Sequence, residues 1–200
     1  MSAGRLLPFV VSGALAAIWA LYSWRRFELW QQTGQLVLLV LVVRNSVISV
    51  LFLFRRQART ASRDAAHWGA AVTGTLVGFL YGVGEPVLPV AGATIMITAA
   101  LVGTFSSLAL GRSFAIVPAN RGVKKGGPYA LVRHPLYISY LIFDVGFLLQ
   151  AASLANGVVF AAMLSATYLR ARFEEQVLSA DPDYRAYAER TRYMFIPGVL

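Results

Sequence analysis

"LVLLVLVVRNSVISVLFLF", Leu36 to Phe54, is an apolar run interrupted at its centre by Arg44 and Asn45, with Ser46 and Ser49 its only other polar residues. A hydrocarbon core about 30 Å thick takes roughly 20 apolar residues in a helix, so the stretch reads as a membrane-crossing helix. A charge in such a segment is costly unless it is paired or faces a cavity. Asp144, inside another apolar run, is the available counter-charge. An Arg44–Asp144 structural pair is the favoured reading, and a polar wall in a lipid-substrate tunnel is the alternative.

Outward from this segment, five more stretches come near the same length: Leu6 to Trp24, Trp68 to Gly84, Val87 to Leu110, Leu136 to Ala152 and Gly157 to Leu169. The last two are short and only four residues apart, so they can form a tight helical hairpin that does not fully cross. Five to six spans follow. Arg5 precedes an apolar run of full spanning length with no small-residue cleavage pattern, so that run reads as a first span and not as a cleaved signal.

Composition agrees. The chain is 58% hydrophobic and 14% charged with mean hydropathy +0.62, too apolar for an ordinary soluble domain of 200 residues. The net charge of +9 sits in short clusters between apolar segments, which points to anionic lipid headgroups and away from nucleic acid. With no cysteine there is no disulfide, thiolate nucleophile or Cys-ligated metal. With two histidines, His67 and His134, no metal-binding pair stands on one helix face. His67 reads as a loop residue. Neither a Gly-x-Gly-x-x-Gly nor a phosphate-binding Gly-rich loop is present.

Arg55, Arg56, Arg59 and Arg63 follow the second run; Arg112, Arg121, Lys124, Lys125 and Arg133 follow the fourth; five arginines from Arg170 to Arg192 follow the last. With six crossings these clusters and Arg5 share one side, leaving Arg25 and Arg26 opposite, so the basic side is cytoplasmic by the positive-inside bias. Trp19, Trp24, Trp30, Trp68 and Tyr81 fall near span ends, as interfacial rings or as packing between helices.

The expected fold is an all-α, polytopic membrane bundle with a cytoplasmic C-terminal helical cap. Residues 1–110 supply the N-terminal membrane helices, and residues 111–200 a core packed with them as one domain. In the tail, Tyr168 to Leu178 reads as a helix with Arg170 and Glu174 at i,i+4. A turn at Asp181, Pro182 and Asp183 precedes a short helix from Tyr184 to Arg192, and the tail folds back over the loop.

The polar groups converge at one boundary. "GPYALVRHPLYISY", Gly127 to Tyr140, puts Arg133, His134 and Pro135 at the start of the fifth run. Proline suits a first helical turn, where its missing N–H costs nothing. The helix N-terminus attracts a carboxylate or phosphate. Glu174 and Glu175, at the end of the sixth run, complement an ammonium or ribose hydroxyls. A ligand carrying both kinds of group would bridge the two runs. The blander alternatives are a snorkelling basic flank for Arg133 and His134, a solvated Glu174/Glu175 face paired with Arg170 and Arg172, interfacial packing for Tyr184 and Tyr187, and phospholipid-head contacts for Arg192.

"GPYALVRHPLY" followed by "RARFEEQVLSADPDYRAYAERTRYMFIP" closely resembles the isoprenylcysteine carboxyl methyltransferase family, and more distantly the phospholipid N-methyltransferases. The resemblance covers roughly Gly122 to Pro197. It implies an integral membrane, S-adenosyl-L-methionine-dependent methyltransferase that works at the cytoplasmic face on a lipophilic, prenyl or lipid-like substrate, most simply as a carboxyl O-methyltransferase. It further implies that Tyr129, Leu131, Val132, His134, Pro135 and Tyr137 line the cofactor pocket and that Glu174 and Glu175 hold the cofactor's polar groups. Arg192 would hold an acidic substrate group, and Glu175 would be the base if the acceptor were an amine. Two positions depart from the family pattern. Ser139 stands where members usually have glycine, and Asp181, Pro182 and Asp183 replace a Phe-Gly before Tyr184. A phospholipid amine N-methyltransferase, a nicotinamide-dependent sterol-type reductase and a non-catalytic scaffold are the alternative functions.

Overall fold

The computed structural model of the protein describes residues 3–198, with side chains from residue 9 onward. The expectation for the Arg5 side chain therefore lies outside the described residues. Among the described residues the regular secondary structure is helical, apart from one two-residue β pair and an isolated bridge, with irregular loops between the helices. Helix α1 (Ala3–Thr33) ends at Gly34, whose φ of 67° only glycine adopts freely and whose N–H closes the last turn on the Trp30 carbonyl at 2.8 Å. After this two-residue turn the chain re-enters α2 (Leu36–Phe54) antiparallel to α1. Serine side chains clip the hairpin: Ser23 Oγ donates to the Val42 carbonyl at 2.9 Å and Ser49 Oγ to that of Ala16 at 2.7 Å.

A loop carrying β1 (Thr60–Ala61) leads to α3 (Ala65–Leu76), capped by the Asp64 carboxylate, which accepts from the Ala66 N–H at 2.7 Å. A 3₁₀ turn, Val77–Leu80, follows, and the helix goes no further. The expected third run extended to Gly84. There the backbone turns instead to the Asn156 side chain, which accepts from Gly82 N–H at 2.9 Å and donates to the Gly82 carbonyl at 3.1 Å. Glu85 pairs with Ala152, so residues 82–85 are held across the chain and not along a helix axis.

Helix α4 (Pro89–Leu110) and α5 (Pro135–Gln150) run at backbone contact. A Cβ on Gly92 would meet the Gly146 carbonyl oxygen at 2.7 Å, and one on Gly146 would meet that of Gly92 at 2.8 Å. Small residues of this kind let helices close together where no hydrophobic effect drives them, as in lipid. Ser139 belongs to the same seam, since a Cβ on Gly103 would touch its Oγ at 2.7 Å. The departure from the family glycine therefore faces α4 and not a pocket.

The segment between α4 and α5 carries β2 (Ala119–Asn120), antiparallel to β1, and a 3₁₀ turn at Gly127–Ala130. Helix α6 (Leu154–Leu178) follows α5 through a short turn in which Ser153 caps the Asn156 N–H. Here the structure corrects the expected short hairpin. The apolar run after Asn156 and the polar helix expected from Tyr168 are one unbroken helix of 25 residues. Nothing between them, neither glycine nor proline, interrupts the hydrogen bonding. Helix α7 (Pro182–Arg190) begins two residues earlier than expected, because Asp181 accepts from Asp183 N–H at 2.9 Å and Pro182 fills the first turn.

Among the described residues three helices are long and apolar enough to cross a membrane: Leu36–Phe54, Pro89–Ser113 and Leu154–Leu178. Ala65–Leu80 and Pro135–Gln150 are apolar but shorter. Only 28% to 39% of the residues in the three spans are buried inside the protein, and the outward face is made of residues such as Phe54, Val90, Phe105 and Val158, all more than half exposed. An apolar exterior on fully hydrogen-bonded helices is compatible with a bundle in lipid.

Candidate active site

The chain from Arg192 to Phe195 runs beside the entry of α5. Arg133 N–H donates to the Tyr193 carbonyl and His134 N–H to that of Met194, both at 2.9 Å. The start of α5 is thereby fixed, and Arg133 and His134 project toward the end of α6. There Glu175 Oε1 accepts from Arg133 Nε at 2.5 Å and lies 3.2 Å from His134 Nε2. Tyr184 Oη donates to the same oxygen at 3.4 Å. Arg133 also donates to the carbonyls of Thr191, at 3.1 Å, and Arg192, at 2.5 Å. One carboxylate thus ties α5, α6, α7 and the C-terminal segment together.

Its neighbour does something different. Glu174 accepts from Tyr137 Oη at 2.7 Å and lines a cavity of about 570 Å³ that runs through the bundle. Tyr129, His134, Tyr137, Tyr184 and Tyr187 line the same end of it. The His134 ring stacks on Tyr137 with centroids 5.4 Å apart and planes at 9°. Tyr187 Oη donates to the Tyr129 carbonyl at 2.7 Å, which brings the tail down over the loop as the sequence suggested. Lys125 lies 4.0 Å from Asp183, and Asn120 Nδ2 donates to Asp181 at 2.6 Å. The departing Asp-Pro-Asp turn is therefore the anchor between tail and loop.

Burial pushes the Tyr129 and Tyr184 hydroxyls well above the ordinary phenol value, helped by the negative charge of Glu174 at Tyr129 and of Glu175 and Glu174 at Tyr184. Burial pushes Tyr187 up to about 12. All three stay protonated at neutral pH; Tyr184 and Tyr187 serve as donors and Tyr129 as an aromatic wall, none of them as a base.

The residues singled out from sequence divide. Tyr129, His134, Tyr137 and Glu174 meet at the cavity end. Pro135 and Val132 are buried beside it without lining it, and Leu131 is 71% exposed. Glu175 is engaged by Arg133 and His134 behind the wall. The Arg192 side chain is exposed, and what the residue brings to the cluster is its carbonyl.

Arg170 was read as the i,i+4 partner of Glu174, and the structure corrects this. It is 6% exposed, reaches away to the carbonyls of Gly74 at 3.4 Å and Ile116 at 3.1 Å, and lies 5.1 Å over the Tyr137 ring. It lines the cavity, a role hidden by its ordinary helical spacing. The glycine at Gly74, whose Cβ would sit 2.8 Å from Arg170 Cδ, was the signal for it. His67 is likewise no loop residue: it lies in the first turn of α3 and stacks on Phe173 with centroids 4.3 Å apart.

Further along the cavity stand Arg26, Arg44, Asn45 and Asp144. The favoured Arg44–Asp144 pair is absent, since no ion pair joins them among the described residues. The Arg44 guanidinium lies instead over the Tyr140 ring at 4.8 Å and near that of Phe143 at 5.9 Å, which holds it by cation–π attraction on the cavity wall. Among the described residues no cluster of acids and histidines is suited to a metal ion.

Residues 87–181 match the family model described as phospholipid methyltransferase. No curated protein matches the chain. The matched part runs from the approach to α4 through Asp181, so it includes Tyr129, His134, Tyr137, Glu174 and Glu175 and stops before α7. It begins earlier and ends sooner than the stretch on which the sequence resemblance rested, and it supports a membrane methyltransferase.

Proposed function

We propose that this chain is an S-adenosylmethionine-dependent integral membrane methyltransferase whose transfer site is the cavity end between His134 and Glu174. The observation that carries this reading is the pairing of Tyr137 with Glu174 at 2.7 Å inside a cavity that also has an apolar stretch within the bundle. The residues fit the cofactor's chemistry. Glu174 offers a carboxylate to an ammonium or to ribose hydroxyls, and the faces of Tyr129 and Tyr187 suit a sulfonium. S-adenosylmethionine supplies a methyl group on a positively charged sulfur, so the transfer disperses charge and needs positioning and exclusion of water more than acid–base chemistry.

A carboxylate acceptor, as in isoprenylcysteine methylation, needs no deprotonation, and seven basic side chains on the cavity wall against two acidic ones favour it. An amine acceptor is favoured by the phospholipid methyltransferase match. For that acceptor Glu174 takes over the proton-accepting role first considered for Glu175, because Glu174 faces the cavity while Glu175 is held by Arg133 and His134.

In this reading the helices up to residue 110 form the membrane wall and residues 111–200 the transfer core, packed as one domain. The bundle is multi-pass, and the basic loops set the transfer end toward the cytoplasm. Lipophilic acceptor arrives from the bilayer and cofactor from water. Purified protein in lipid nanodiscs, given methyl-tritiated S-adenosylmethionine and either a farnesylated thio-carboxylic acid or phosphatidylethanolamine, tests it. Label is expected in one organic-extractable product, and cofactor binding is expected to disappear in Glu174→Ala. Wild-type protein that binds no S-adenosylmethionine overturns the reading.

A further inference from the structure

Midway along α2 and α5 the cavity wall carries polar atoms that have no partner. Asn45 is 2% exposed and Asp144 6% exposed, yet Asn45 Nδ2, Asp144 Oδ2, Arg44 Nε and the Tyr81 hydroxyl make no hydrogen bond. All four residues line the cavity. A buried polar atom left unsatisfied costs about 1–3 kcal/mol, more when charged, so four at one place need an explanation. Packing does not provide it, because α2 and α5 could have carried leucine here. Charge adds direction. Arg26 lines the same region, and its neighbour Arg25 is the one that pairs with Glu28, at 3.6 Å. Two arginines therefore face one aspartate, an excess of one positive charge. In an apolar surrounding an uncompensated charge is expensive, and one anionic group neutralises it.

Resting on the methyltransferase reading, we infer that Arg44, Asn45 and Asp144 form a second polar subsite, which takes an anionic, hydroxyl-bearing group of the methyl acceptor. The Arg44 and Asn45 donors match oxygens of a carboxylate or phosphodiester, and Asp144 accepts from a hydroxyl beside it. Asp144 lies seven residues beyond Tyr137 on α5, so the subsite is about 10 Å from the transfer end at 1.5 Å per residue. The acceptor is then not a plain hydrocarbon tail with one reactive end. It carries a charged group roughly 10 Å from the atom that is methylated.

The probe is radiolabelled oleoyl-lysophosphatidylglycerol, which has one chain, one negative charge and free hydroxyls. It is equilibrated with the full chain in phosphatidylcholine nanodiscs beside oleate, which has the anion alone, and monoolein, which has the hydroxyls alone. The labelled probe is expected to bind without displacing S-adenosylmethionine, to be displaced by oleate less well than by itself, and to resist monoolein. Arg44→Met is expected to weaken it at least about tenfold, the loss of one charged hydrogen bond, while cofactor affinity is kept, and Arg44→Lys to restore part of it. Asp144→Asn should narrow the difference between the probe and oleate.

Monoolein competing as well as the probe overturns the subsite with no variant needed, as does probe binding indifferent to Arg44 or displacement of the cofactor. Equal displacement by two-chain phosphatidylglycerol built into the disc makes the occupant a bilayer lipid, which overturns its assignment to the acceptor. Wild-type protein that shows Arg44-dependent probe binding but no cofactor binding sinks the methyltransferase reading and leaves the anion subsite standing. Cofactor binding without Arg44-dependent probe binding sinks the subsite alone.

Discussion

Two polar clusters share one cavity and treat their charges in opposite ways. Around Glu175, donors from Arg133, His134 and Tyr184 converge on one oxygen. Around Asp144, an oxygen, an amide and a guanidinium nitrogen have no partner. A satisfied network fixes geometry, and an unsatisfied one asks for a ligand. The contrast extends to adjacent residues, since Glu175 closes the network while Glu174, one position before it, faces the cavity.

The largest expected effect separates those two glutamates. Glu175→Ala removes the common acceptor of Arg133 and His134, whose side chains are only 13% and 6% exposed. Leaving the Arg133 charge without its carboxylate and the His134 ring without its hydrogen-bond partner is expected to cost about 3 kcal/mol, the low end for a buried pair. The check is thermal inactivation or precipitation of the detergent-purified protein. Glu174→Ala is expected to cost about 1 kcal/mol, one hydrogen bond to Tyr137, and to abolish cofactor binding measured by equilibrium dialysis. Equal destabilisation by both substitutions breaks the distinction between a clamp and a binding carboxylate.

A second prediction touches the seam that sets the clusters' spacing. Gly146 lies between Asp144 and the end of α5, against the Gly92 carbonyl. Gly146→Ala forces the helices apart at a backbone atom that cannot give way and is expected to cost about 1–3 kcal/mol, the range for overpacking. Gly157→Ala, with nothing within 4 Å of its Cβ, is the matched control and is expected to be neutral or slightly stabilising in the same melt.

How far the sequence carried this picture depends on the range of the signal. Leu36–Phe54 was legible to the residue, because apolar length, a preceding glycine and the following arginines are local facts. The Arg-His-Pro start of α5 was legible for the same reason. The unbroken α6 was not, because a change from apolar to charged composition looks like a boundary although helix propensity never falls. Arg170 and Arg44 were misassigned together. Helical spacing and opposite charge suggested partners, whereas distant backbone carbonyls and aromatic rings decided where each guanidinium went. The twin glutamates were found as a pair, but their division of labour depends on helix rotation, which a sequence does not state.

The smallest effect concerns the tail that covers the satisfied cluster. Asp181 accepts from Asn120 Nδ2 and from the Asp183 N–H, and these bonds hold its carboxyl below the ordinary aspartate value of 3.8. A carboxyl whose value is lower in the folded state stabilises that state above its unfolded pKa, and the contribution fades as pH falls through the folded value. Docking of α7 on the loop should therefore weaken below about pH 4 and be insensitive to pH above it. Limited proteolysis after Leu178 with an acid-active protease reads this directly. Asp181→Asn should remove the acid dependence of cleavage while the Arg133–Glu175 clamp keeps the rest of the fold intact. If cleavage of the variant still rises with acid, the sensitivity belongs to the clamp and not to the turn, and the satisfied cluster is the less secure of the two regions.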